Sequence, residues 1–236
     1  MGMRIHHRNL VGVRFQARCD LYLPDQGRLT GRRVLDLCCR NGKGVFAIAD
    51  RVGPGGSVVG VDPDPTRIAA AREASSRARR ERWPQDVTFA CADPSDLARA
   101  GLSDGGFDLV VSNAALLLAP DVPAALREAA RVLAPGGSLY CDVVLEDASD
   151  GGAPVRGAWG AGDVRADRGA RDDYADGNVF LAAPTRDALE AWLREAGFVA
   201  ADVSAMGPAA PDGPDASPEL RGRAFTHAIV DARTRP

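Results

Sequence analysis

Lysine is nearly absent from this chain: Lys43 is the only one, and all other basic residues are arginines. Basic residues do not outnumber acidic ones, and the formal net charge is −3 at pH 7. Without a basic surplus there is no electrostatic footprint for nucleic acid, which is not an expected partner. The preference for arginine, together with abundant Ala, Gly and Pro, reads as the coding bias of a GC-rich genome rather than as design for anion binding. Long apolar runs are missing too. The longest, Ala114 to Ala119, is far too short to cross a bilayer, so no membrane association is expected. The five cysteines form no C-x-x-C pair and have no histidine at zinc spacing. Cys38 and Cys39 are adjacent, which suits neither an ordinary disulfide nor a zinc site, so no metal is expected. The N-terminus shows no apolar run resembling a signal peptide, and His6 stands where myristoylation wants Ser or Thr. A reducing, cytoplasmic home is the expectation.

What is present fits one domain. A chain of 236 residues is long enough to bury roughly 70 % of its unfolded surface without staples. From Arg33 onward, strands and helices alternate. Val34-Leu35-Asp36-Leu37 reads as a buried strand and Gly44 to Val52 as a helix. Ser57 to Val61 is a second strand, entered through Gly53-Pro54-Gly55-Gly56. Pro65 to Arg82 reads as a long helix with proline in its first turn, where the missing N–H costs nothing. Its Ala69, Ala70, Ala74 and Ala78 are the expected sheet-facing residues.

Val87 to Ala90 and Phe107 to Ser112 are further strands. Asp121 to Leu133 is a helix stopped by Pro135-Gly136-Gly137, and Ser138 to Val144 a fifth strand. Thr185 to Ala196 is a helix ended by Gly197. Val199 to Ala205 and Ala224 to Ala232 are the last strands, with Gly207 to Gly222 a flexible hairpin loop between them. Such short apolar runs, separated by helices, indicate an α/β fold with a parallel sheet covered on both faces. No internal repeat is found, and nothing in the pattern sets an oligomeric state. Residues 1–30 are expected to form a helical flap over the carboxyl edge of the sheet. Residues 31–145 form the core, 146–183 a lid or substrate insert, and 184–236 a final helix and strand pair.

In open α/β sheets ligands bind beyond the carboxyl ends of the strands, which directs attention to the loop V-L-D-L-C-C-R-N-G-K-G, Val34 to Gly44. Asp62 follows the second strand, 26 positions after Asp36, and its carboxylate can accept both hydroxyls of a ribose. Asp93, past the third strand, can meet an adenine amino group. A dinucleotide site would need G-x-G-x-x-G, but Cys38 and Arg40 occupy two of those glycine places. A Walker-type phosphate loop fails because Gly42-Lys43 is followed by Gly44. Taken singly, Asp62 could be a helix cap and Asp93 a turn former. Their joint placement at successive strand ends points to cofactor binding.

On these residues the chain resembles a family. V-L-D-L-C-C, G-S-V-V-G-V-D, F-D-L-V-V-S-N and L-R-E-A-A-R-V-L-A-P-G-G-S-L-Y are similar to successive motifs of class I S-adenosylmethionine-dependent methyltransferases. The loop also resembles the D-L-C-C-G-T-G of quinone-biosynthesis methyltransferases. The run S-N-A-A-L-L-L-A-P-D, with L-Y-C-D-V-V and A-W-G-A-G, is most similar to arsenite methyltransferases. The resemblance implies a Rossmann-like, doubly wound seven-stranded sheet, mostly parallel with the last strand antiparallel. It implies S-adenosylmethionine as cofactor and a small-molecule, specialised-metabolite acceptor. Asp36, Cys38, Arg40 and Gly42 would frame the methionine end, Asp62 and Pro63 the ribose, and Asp93 with Pro94 the adenine. Asn113 would mark where the methyl group meets the acceptor.

Two departures stand out. The arsenite enzymes' thiolates fall where this chain has Val45, Ala114 and Gly162, leaving only Cys19 near an equivalent. One thiol cannot make a soft trigonal cage, which argues against arsenite. Arg40 replaces the central loop glycine. It either reaches a carboxylate of cofactor or substrate, or it signals a catalytically silent, partner-binding relative or a fold repurposed for another cofactor-assisted reaction. No catalytic residue is assigned; His6, His7 and Tyr174 are the candidates. Cys19, Ala114, Trp159 and Tyr174 are the candidate acceptor contacts.

Overall fold

The apolar runs rich in valine become inner strands, and the alanine-rich stretches between them become the helices that cover both faces. The computed structural model describes residues 3–5, 21–80, 86–147, 178–211 and 217–236. A two-stranded ribbon, β1 (Met3–Ile5) and β2 (Leu21–Leu23), precedes the short helix α1 (Gln26–Leu29). Then follow β3 (Arg33–Leu37), α2 (Lys43–Val52), β4 (Ser57–Asp62), α3 (Pro65–Arg80) and β5 (Asp86–Cys91). The second half comprises β6 (Phe107–Asn113), α4 (Val122–Val132), β7 (Leu133–Glu146), α5 (Arg186–Glu195), β8 (Phe198–Ala209) and β9 (Phe225–Thr234).

Seven strands form one sheet in the order β5-β4-β3-β6-β7-β9-β8. β3 lies parallel to β4 and β6, β4 to β5, and β6 to β7, whereas β9 runs antiparallel to β7 and β8. Strand order reverses between β3 and β6, opening a crevice at their carboxyl ends where such folds bind ligands. One face buries Phe46, Ile48 and Ile68 of α2 and α3 with Leu21, Leu23 and Leu29. The other buries Leu126, Leu189 and Leu193 of α4 and α5. Asp121 caps α4 by accepting from the Ala124 N–H at 2.8 Å, and Thr185 caps α5 through the Ala188 N–H at 3.3 Å. Each such cap is worth about 1 kcal/mol.

Most of the expected N-terminal flap lies outside the described residues; the described part of residues 1–30 is the β1–β2 ribbon and one helical turn, the apolar alternation of Leu21-Tyr22-Leu23 suiting a strand. Three expectations are corrected. Ala69 and Ala70 face water; Ile68, Ala71, Ala74, Ser75 and Ala78 line the buried stripe, a phase set by Ile68. Pro135-Gly136-Gly137 does not separate helix from strand. β7 begins directly at Leu133, pairs with Phe107, and resumes pairing at Ser138 after a register shift. The expected loop from Gly207 is partly strand, since β8 continues to Ala209, and Pro218–Leu220 forms a short 3-10 helix.

Candidate functional site

The loop after β3 turns through three left-handed residues at alternate positions: Cys38 (φ 64°), Arg40 (φ 53°) and Gly42 (φ 84°). For an L-residue this region costs roughly 1–2 kcal/mol. The path is therefore that of a glycine loop, held by two residues that are not glycine. Three hydrogen bonds hold the strained turn. Cys39 N–H donates to Val61 O at 2.8 Å, Gly42 N–H to Cys39 O at 2.9 Å, and Arg40 N–H to Asp62 Oδ2 at 2.7 Å. Arg40 is exposed, while Cys38 and Cys39 are buried. Gly42 is required twice over, because a Cβ there would also sit 2.9 Å from the Phe89 ring. At Gly44 a Cβ would fall 2.5 Å from Asp36 Oδ2, so this glycine is what lets the helix start over a buried carboxyl.

The carboxylates divide their tasks. Asp36 is buried, and its carboxyl is pushed up to about 8 by burial and by the neighbouring charge of Asp62. Asp62 is fully buried; besides Arg40 it accepts from the Asp64 N–H at 3.0 Å. The helix-cap reading of Asp62 fails, since Asp64 caps α3 by accepting from the Thr66 N–H at 2.8 Å. The turn-former reading of Asp93 holds: its Oδ1 accepts from Ser95 N–H at 2.8 Å and Ser95 Oγ–H at 2.6 Å. Pro63 is half-buried and Pro94 buried beside them. Strands β3, β4 and β5 thus bring Asp36, Asp62 and Asp93 to one edge of the sheet.

Across the crevice lies a second polar group that sequence reasoning missed apart from Asn113. Asn113 Oδ1 accepts from the Tyr22 N–H at 2.8 Å, and its Nδ2 is buried with no hydrogen-bond partner among the described residues. Asn113 stands in register with Asp142 of β7. Asp142 is buried, and its Oδ1 accepts from the N–H of Ala114, a left-handed residue at φ 55°. Its Oδ2 lies 3.5 Å from His227 Nε2, and the His227 ring packs against Tyr22 with centroids 4.8 Å apart. Burial pushes the Asp142 carboxyl above its usual range, opposed by His227 and by the Ala114 amide. An aspartate inside the apolar run L-Y-C-D-V-V was the one available signal; nothing local pairs it with His227. His6, His7, Cys19, Trp159, Gly162 and Tyr174 lie outside the described residues.

The chain is similar to known proteins. The chain matches a methyltransferase-domain family over residues 29–159. It is 41% identical over 130 residues to an arsenite methyltransferase of Aquipseudomonas alcaligenes, a match that spans 55% of this chain and 37% of that one. It is 38% identical over 138 residues to the nocamycin O-methyltransferase of Saccharothrix syringae, covering 55% of this chain and 46% of the relative. The crystal structure of an arsenic (III) S-adenosylmethionine methyltransferase from Chlamydomonas reinhardtii superposes with a TM-score of 0.69 at 27% identity, over 88% of this chain and 65% of that chain. The chain thus spans less than half the length of these two curated relatives. A reversed-order sheet, a glycine-type loop and carboxylates at successive strand ends define a nucleotide-cofactor fold. By its domain match this chain belongs to the class I S-adenosylmethionine-dependent methyltransferases.

Proposed function

We propose that the chain transfers a methyl group from S-adenosylmethionine to a small-molecule acceptor of the specialised-metabolite kind, and that arsenite is not that acceptor. The observation that carries this reading is the loop of residues 38–42, which keeps a glycine-loop path over the buried Asp36 and Asp62 although two of its residues are not glycine. The residues fit the cofactor: Gly44 leaves the start of α2 without a side chain above Asp36 and Leu21, and Asn113 Nδ2 is a buried amide with no hydrogen-bond partner among the described residues at the far side. When bound, S-adenosylmethionine supplies an electrophilic methyl group carried on a sulfonium. In this reading Asp36 and the loop from Cys38 to Gly42 hold the methionine portion, with Arg40 pairing to its carboxylate. Asp62 and Pro63 border the ribose, while Asp93 and Pro94 border the adenine. Asn113 orients the acceptor side. Positioning of this kind supplies much of the catalysis that methyl transfer needs.

Two relatives bear names that point to arsenic, so that reading is weighed directly. Val45 is fully buried in the core and Ala114 carries no thiol. Among the described residues no group of three His, Cys, Asp or Glu side chains could hold a metal ion. Burial, with nearby carboxylates, pushes the Cys39 and Cys141 thiols up, away from the thiolate form that As(III) requires. The nocamycin O-methyltransferase likeness supports a metabolite acceptor instead. The test is to incubate the chain with S-adenosylmethionine, As(III) and glutathione, and to titrate it with S-adenosylhomocysteine by calorimetry. Binding of S-adenosylhomocysteine without methylated arsenic products is expected. Arsenic methylation would overturn the acceptor reading, and no binding would overturn the cofactor reading.

A further inference from the structure

We infer that His227 is the base that takes the proton from a hydroxyl-bearing acceptor, with Asp142 positioning it, so that the substrate is a phenol or enol. The inference rests on the methyltransferase reading above. Three elements distant in sequence build the pair: Asp142 comes from β7, His227 from β9 and Tyr22 from β2. A buried carboxylate in mid-strand costs several kcal/mol of desolvation unless it is committed to partners. Here each oxygen has one. Oδ1 receives the Ala114 amide at 2.9 Å, fixing the corner that follows β6. Oδ2 faces His227 Nε2 at 3.5 Å, a separation of the kind that tightens when a substrate binds.

In the proposed arrangement the contact closes to a hydrogen bond when substrate binds, with Nε2–H turned to the carboxylate and the lone pair left on Nδ1, the same division of labour by which an aspartate orients a catalytic histidine elsewhere. The His227 side chain is 21% exposed, so the ring is not sealed in, and Tyr22 supports one side of it. Among the described residues, β7 carries Asp142, Tyr140 and Glu146 near this register, the last held by Arg223. β9 itself contributes Asp231, which is bound by Arg28 of α1. β8 sets Gly207 beside His227 and adds no charge.

Location makes the pair useful. Asn113, the register partner of Asp142, ends β6 at the crevice, and its Tyr22 bond ties the same segment that supports the His227 ring. A free-base amine or a thiolate accepts a methyl group without a base, whereas a hydroxyl must lose its proton. In the transfer, the acceptor oxygen bonds the methyl carbon as the sulfur–carbon bond breaks and its electron pair returns to sulfur. The hydroxyl proton moves to His227 Nδ1, and the resulting imidazolium then releases it to water. A positioned base of this type contributes typically 10²–10⁴-fold.

The test uses the full chain, S-adenosylhomocysteine and para-nitrophenol, whose ionisation is visible as a yellow band. Saturated with S-adenosylhomocysteine at a pH where the free phenol is mostly protonated, the wild type should generate the phenolate band. His227→Gln should abolish the band while binding S-adenosylhomocysteine as the wild type does. Asp142→Asn should diminish it and move the proton of the neutral imidazole off Nε2, read by nitrogen-15 spectra of labelled histidine. No phenolate band in the wild type, or an undiminished band in His227→Gln, overturns the inference and leaves the methyltransferase reading standing. Failure of S-adenosylhomocysteine to bind the wild type overturns the methyltransferase reading instead.

Discussion

The two halves of the crevice are built on different principles. On the β3–β4–β5 side the functional groups sit in short local motifs, each at the end of its own strand: Asp36, the 38–42 loop, Asp62 and Asp93. On the β6–β7–β9 side they meet only through sheet pairing, since the antiparallel β9 brings His227 back beside Asp142. The first half carries backbone strain, with Cys38 and Arg40 in left-handed positions, and buries two carboxyls together. The second pairs its buried carboxyl with a histidine. In the proposed reading the cofactor is met by local loop shape and the acceptor by a pairing that only the folded sheet creates.

The largest effect that separates the halves is the pH dependence of stability. The folded-state pKa of Asp36, about 8, is raised above its unfolded value. Its stabilising effect is therefore complete below the unfolded pKa and is lost as pH rises through about 8. From 3.8 to about 8, at about 1.4 kcal/mol per unit, the loss is on the order of 6 kcal/mol. Thermal melts of the wild type should show Tm falling from mildly acid pH to above pH 8, and Asp36→Asn should flatten that decline. An equal decline in both proteins would assign it elsewhere. Next comes Arg40→Gly. Removing the left-handed arginine relieves about 1–2 kcal/mol of strain, offset in part by the extra freedom of glycine in the unfolded chain. Tm should rise slightly. Affinity for S-adenosylmethionine should fall by about tenfold or more for a lost charged hydrogen bond. Tighter binding after the substitution would mean that Arg40 obstructs the pocket.

The same contrast explains what could be read from sequence. The seven-stranded fold and the β3 loop were legible because strand runs and loop residues lie within a few positions of one another. Arg40 and Cys38 stood out for occupying glycine places, and their left-handed φ values agree with that reading. Of the alanines expected on the buried side of α3, Ala74 and Ala78 are there but Ala69 and Ala70 are not, because alanine marks a helix without marking its buried side; Ile68 does that. The ribbon of β1 and β2 was missed because a three-residue strand shows too little alternation to separate from coil. Asp142–His227 was invisible because a pairing across β7 and β9 depends on which strand returns and in which register. The assignment of Asp62 to a ribose rests on its position after the second strand and on the family resemblance. In the structure that position is fully buried and already bonded to the loop.

Asp62 therefore offers the most direct measurement. It holds Arg40 N–H at 2.7 Å and Asp64 N–H at 3.0 Å and is the residue to which the proposed function gives the ribose. S-adenosylhomocysteine should be titrated by calorimetry into the wild type, Asp62→Ala and Asp62→Asn, with thermal melts confirming that each variant is folded. The account predicts measurable binding to the wild type and at least tenfold weaker binding to folded Asp62→Ala, about 1.4 kcal/mol or more, as expected when a charge-assisted hydrogen bond is lost. Asp62→Asn should fall between the two. Unchanged affinity in a folded Asp62→Ala would contradict the assignment of this half of the crevice to the cofactor.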